Sequence, residues 1–118
     1  MASPYQWPWV DYRLEITPQI GSTPQLVFGK PVTCILDSIV LCNTTDQEMF
    51  IDMYVLRPGD TPITVYRVNN LLIPKRSSIQ VIEKPMTVEG NDLFYAKSDY
   101  DNNLFDCMIS NRQLLETA

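Results

Sequence analysis

The chain predicts an all-β fold, a single antiparallel β-sandwich of jelly-roll or immunoglobulin-like type with an extended N-terminal arm. Three observations lead there. Runs rich in β-branched and aromatic residues recur from Val32 onward, turn-forming residues break them at short intervals, and no window sustains apolar residues at the three- and four-residue spacing of a helix. At 118 residues, with 45% hydrophobic and 19% charged residues, the chain is large enough for one core and too small for two.

Residues 1–30 read as the arm and residues 31–118 as the sandwich domain. Pro4, Pro8, Pro18 and Pro24 interrupt the arm, and Tyr5, Trp7, Trp9 and Tyr12 give it aromatic weight without a sustained period. The short alternation Tyr12, Leu14, Ile16 is able to add one edge strand, since prolines flank it without entering it. After Gly29-Lys30-Pro31 the pattern changes, and strands are expected near 32–42, 49–57, 62–68, 78–83, 93–97 and 104–111.

The first two of these, from Cys34 to Arg57, read as a β-hairpin around the polar knot Asn43-Thr44-Thr45-Asp46-Gln47-Glu48. Pro58-Gly59-Asp60 combines the preset φ of proline with a residue free to take positive φ, and Glu89-Gly90-Asn91-Asp92 does the same later. Asp99-Tyr100-Asp101-Asn102-Asn103 makes a further turn, and Arg112 to Thr117 has room for one helical turn at most. In 49–56, Met49, Ile51, Met53 and Val55 share one face while Phe50, Asp52, Tyr54 and Leu56 share the other. The second face is therefore either ordinary exposed apolar surface or a surface covered by another subunit.

Composition narrows the chemistry. The chain has no histidine, which removes the commonest general base, the Ser-His and Cys-His nucleophile pairs, and most zinc sites. Four glycines form no phosphate-binding loop, and the Asp99–Asn103 cluster lacks the glycine and terminal glutamate of an EF-hand. No catalytic residue, metal ligand or cofactor is expected. A net charge of −5, with Lys75-Arg76 as the adjacent cationic pair, argues against nucleic acid as a ligand.

No run approaches the roughly 20 apolar residues of a membrane span, and the first residues lack the order of a signal peptide, so the expectation is folding in a cytoplasm without membrane contact. Cys34, Cys42 and Cys107, each inside an apolar run, read as free thiols. Asn43-Thr44-Thr45 matches a glycosylation sequon but is more simply a turn.

The ordered pieces Asp37-Ser38-Ile39-Val40-Leu41-Cys42-Asn43-Thr44-Thr45, Tyr66, Leu72-Ile73-Pro74, Ser77-Ser78-Ile79 and Glu89-Gly90-Asn91-Asp92-Leu93 resemble a loose group of small β-sandwich virion proteins of tailed bacteriophages. The likeness spans residues 32 to 111; the chain departs from the pattern by placing Asn91 inside a Gly-Asp pair and by its Trp-Pro-Trp arm.

The resemblance implies a non-enzymatic structural protein of the virion, made in the host cytoplasm. It would assemble as a homo-oligomer in many copies, either a capsid cement or decoration protein or a head-to-tail component of the neck or tail. Its partners would be major capsid, portal or tail proteins and copies of itself. Candidate contact residues are Trp7, Trp9 and Tyr12 on the arm, with Lys75 and Arg76 near the Ile73-Pro74 corner. The arm either docks in a neighbour's groove or packs on its own domain. A carbohydrate-binding or adhesin-like sandwich is the alternative function.

Overall fold

Two-residue alternation of buried and open side chains organises the computed structural model, which describes residues 11–113. Its strands are β1 (Asp11–Ile20), β2 (Gln25–Gly29), β3 (Cys34–Asn43), β4 (Met49–Arg57), β5 (Ile63–Ile73), β6 (Ser77–Gln80), β7 (Met86–Val88), β8 (Leu93–Ser98) and β9 (Phe105–Gln113). One sheet runs β1-β9-β3-β6, with β7 on the other half of β3, and the second runs β2-β8-β4-β5. The pairings in both sheets are antiparallel. The expected all-β sandwich is what the described residues form.

The core is the sum of the two inward faces. Cys34, Leu36, Ile39 and Leu41 of β3 and Phe105, Cys107 and Ile109 of β9 meet Met49, Ile51 and Met53 of β4 and Phe94 and Ala96 of β8, all buried. A bulge keeps β3 in phase. Leu36 pairs with Asn111 and Ser38 with Ser110, so Asp37 is the extra residue that lets both Leu36 and Ile39 face inward. Asp37 is left on the outer side, where Arg112 donates to both its carboxylate oxygens at 3.1 and 2.8 Å.

The expected hairpin from Cys34 to Arg57 is corrected: β3 and β4 lie in different sheets. The connection 44–48 is an arch from one layer to the other, because Asn43 and Met49 at its two feet both point into the core. The hairpin in this region is β4–β5, closed across residues 58–62. Apart from that hairpin and the β6–β7 link, each described connection crosses between the layers, and polar residues are buried at three of these crossings. They are Asn43 beside the β3–β4 arch, Asp92 before β8, and Ser98 with Asn103 around the β8–β9 arch.

The boundary between arm and domain also moves. Residues 11–20 and 25–29 are strands of the two sheets, since Tyr12, Leu14 and Ile16 continue an alternation that β9 pairs residue for residue and Val27 and Phe28 enter the core. β5 extends past Asn69-Asn70 to Ile73, because a bulge absorbs these residues: Asn70 takes a φ of 59° and its N–H donates to Asp52 Oδ1 at 2.6 Å. In the Glu89–Asp92 turn the left-handed residue is Asn91, at φ 72°. Gly90 serves a different need, for a Cβ there would stand 2.7 Å from the Pro31 carbonyl oxygen. At the C-terminal end Arg112 and Gln113 are strand, and the rest of the expected turn lies outside the described residues.

Candidate functional site

The loops before β3, between β4 and β5 and before β8 gather at one end of the sandwich, the Arg57 end. Those around residues 21–24, 44–48, 74–76 and 99–104 gather at the other, the Asn43 end. At the Arg57 end an open hollow of about 770 Å³ is lined by Lys30, Arg57, Glu89 and Asp92 among others. Each of these charges has a partner. Arg57 donates to both oxygens of the buried Asp92 at 2.9 Å and lies 3.6 Å from Glu89, while Lys30 holds Glu15 at 2.9 Å. The bond to Asp92 raises the Arg57 pKa further above its ordinary value. Among the described residues no three His, Cys, Asp or Glu side chains gather as a metal site.

Large apolar side chains reach solvent elsewhere. Among the described residues β1 is an edge of its sheet, and Tyr12, Leu14 and Ile16 on its outer face are 71%, 58% and 60% exposed. Behind them the register sets Ile16 beside Met108 and Val40, and Tyr12 beside Arg112 and Ile35, so the apolar stripe continues inward across the sheet. Among the described residues, the buried atoms Asn111 Oδ1 and Gln113 Nε2 on the neighbouring β9 find no hydrogen-bond partner.

The outer face of the second sheet carries a row drawn from all four strands, Leu26, Tyr95, Tyr54 and Tyr66. Tyr54 lies between the other two tyrosines, near-parallel to Tyr95 at 5.5 Å and tilted to Tyr66 at 5.4 Å. Burial raises the Tyr54 phenol above its ordinary range, and Tyr66 and Tyr95 add to the shift. A pyranose stacks on an open ring face. Here the three rings stand close enough to contact one another across the sheet.

The sequence-derived contact residues separate in space. Trp7 and Trp9 lie outside the described residues. Tyr12 stands on the β1 edge toward the Arg57 end, and Lys75 and Arg76 sit at the Asn43 end, about 25 Å away along the strands at ~3.3 Å per residue. Lys75 is exposed. Arg76 is turned into the β3–β4 arch, its N–H donating to the Thr45 carbonyl at 3.1 Å and its guanidinium to Asp46 at 2.6 Å. Leu14, Ile16 and the tyrosine row were not singled out as contacts; period-two alternation reveals a second apolar face but not whether a layer covers it.

Two sequence features resolve as structure. Asn43 of the sequon is fully buried with its amide nitrogen committed to three carbonyl oxygens, so the folded chain offers no glycan acceptor there. The three cysteines are free, with Cys34 and Cys107 buried and Cys42 half-buried. Burial pushes the Cys107 thiol up to about 12 from an ordinary 9.0. The unfolded chain therefore loses this proton first, binds fewer protons between those values, and stability falls as pH rises through that window. Urea unfolding at pH 8 and pH 10 is expected to show the natural chain losing about 1.4 kcal/mol more than Cys107→Ala. Equal losses in both would refute the assignment.

Comparison with protein-family models, curated proteins and solved structures finds no match to this chain.

Proposed function

We propose that this chain is a non-enzymatic structural component of a tailed-phage virion, working in many copies as a capsid cement or decoration protein or in the head-to-tail region. The observation that supports it is the β1 edge, where three large apolar side chains stand more than half exposed beside backbone that no other strand pairs among the described residues. An open strand edge with an apolar face is a template for another chain. The self-paired charges of the Arg57 end favour a scaffold over a catalyst. Tyr12 and the Lys75-Arg76 corner, at opposite ends, give one copy two separate surfaces for neighbours. The virion setting itself draws on the sequence resemblance over residues 32 to 111.

The test is mass spectrometry of purified particles from a host expressing the tagged chain. The full-length protein is expected in particles at a fixed ratio to the major shell protein, and a chain lacking residues 1–12 is expected to enter at least tenfold less. Absence of the full-length chain from purified particles would sink the proposal.

A further inference from the structure

β1 is close to self-complementary when turned end for end. Its regular stretch, paired with β9 without interruption, runs from Asp11 to Thr17, with Leu14 at the midpoint. Beyond Thr17 the register shifts, and Pro18 has no N–H to give. We propose that β1 pairs antiparallel with β1 of a second copy about a two-fold axis at Leu14, joining their two five-stranded sheets into one.

In that register Leu14 meets Leu14 of the second copy, Tyr12 meets Ile16, and Arg13 meets Glu15 on both sides of the axis. Aromatic against β-branched and cation against anion are favourable cross-strand pairs. The exposed stripe of Tyr12, Leu14 and Ile16 becomes continuous with its symmetry mate, on the face where each copy already shows it. Glu15 keeps Lys30 at 2.9 Å, and a carboxylate has lone pairs for a second donor.

Neighbouring registers are worse. A one-residue slip puts the outer face of one copy on the inner face of the other. A two-residue slip sets Arg13 against Arg13 in one direction and Glu15 against Glu15 in the other, and like charges directly opposite repel. The partner is therefore a second copy of this chain, and the interface is isologous.

This deepens the assembly reading and rests on it for biological purpose, but its test is separate. In a Cys42→Ser background, single cysteines replace Leu14, Tyr12 or Ile16, all exposed positions, and the full chain is oxidised and run on a non-reducing gel. Directly opposed residues lie about 4.5–5.5 Å apart between Cα atoms, within disulfide reach. Position 12 of one copy is four residues from position 12 of the other, roughly 14 Å.

Leu14→Cys is expected to cross-link to itself. Tyr12→Cys and Ile16→Cys are expected to cross-link when mixed, at least tenfold more than either alone, with one carrying a size tag to mark the mixed dimer. Monomeric Leu14→Cys, or equal cross-linking by Ile16→Cys alone, overturns the pairing. A chain that enters particles without this cross-link overturns the pairing alone; one that cross-links but never enters particles overturns the virion role alone.

Discussion

Phe94→Ala is expected to destabilise the protein by about 3–5 kcal/mol, measured as the shift in urea midpoint at constant slope. Phe94 is 1% exposed on β8, an interior strand of its sheet, and meets Phe28 edge-on with ring centroids 6.0 Å apart. Removing the ring loses its burial and this aromatic contact together. Phe94 also forms part of the wall of an open hollow of about 280 Å³ beside Val55, Val65, Met86 and Val88. Phe50→Ala, on the outer face of the adjacent strand and 37% exposed, is expected to cost under about 1 kcal/mol. Similar losses for both variants would mean that the inward and outward faces are assigned wrongly.

The alternation behind that contrast was readable directly. Met49, Ile51 and Met53 face the core as their spacing demands, and so do Phe105, Cys107 and Ile109. The layer to which each strand belongs was not readable, because a polar knot such as 43–48 turns a chain equally well within one sheet or between two. What separates the cases is whether the residues at its feet face into the core, a property of packing and not of turn chemistry. The short β7 was hidden for a related reason. Met86–Val88 is three residues long and follows Pro85, too little for a period to show. Of the candidate contacts, Tyr12 was marked as an aromatic of the arm, and the alternation with Leu14 and Ile16 marked the edge strand that carries it. The companion positions Leu14 and Ile16 share that signal, and only the absence of a further described strand beyond β1 distinguishes them from core.

Asn43→Ala is expected to cost about 2–3 kcal/mol, since it removes a buried hub and leaves several of its partners unpaired. The Asn43 side chain is the tie that makes the β3–β4 connection an arch. Its amide donates toward the carbonyls of Gln47, Ile73 and Pro74 at 2.8, 3.2 and 3.1 Å, and its oxygen accepts from the Thr45 N–H at 2.9 Å and hydroxyl at 2.7 Å. One residue thereby fixes the arch and pins it to the β5–β6 corner, where the chain returns from the opposite sheet. Asn43→Asp gives the sharper result. A carboxylate cannot donate, and it would face three carbonyl oxygens in a buried site, so the folded state favours the protonated acid and raises its pKa above the unfolded value. The unfolded chain then releases its proton near pH 4 while the folded chain retains it, and stability falls as pH rises. The destabilisation of Asn43→Asp relative to the natural chain should accordingly be smaller at pH 4 than at pH 7. Asn43→Ala should show little such dependence. A pH-independent difference for Asn43→Asp would show that the side chain has swung out to water and that the arch does not depend on its three donated contacts.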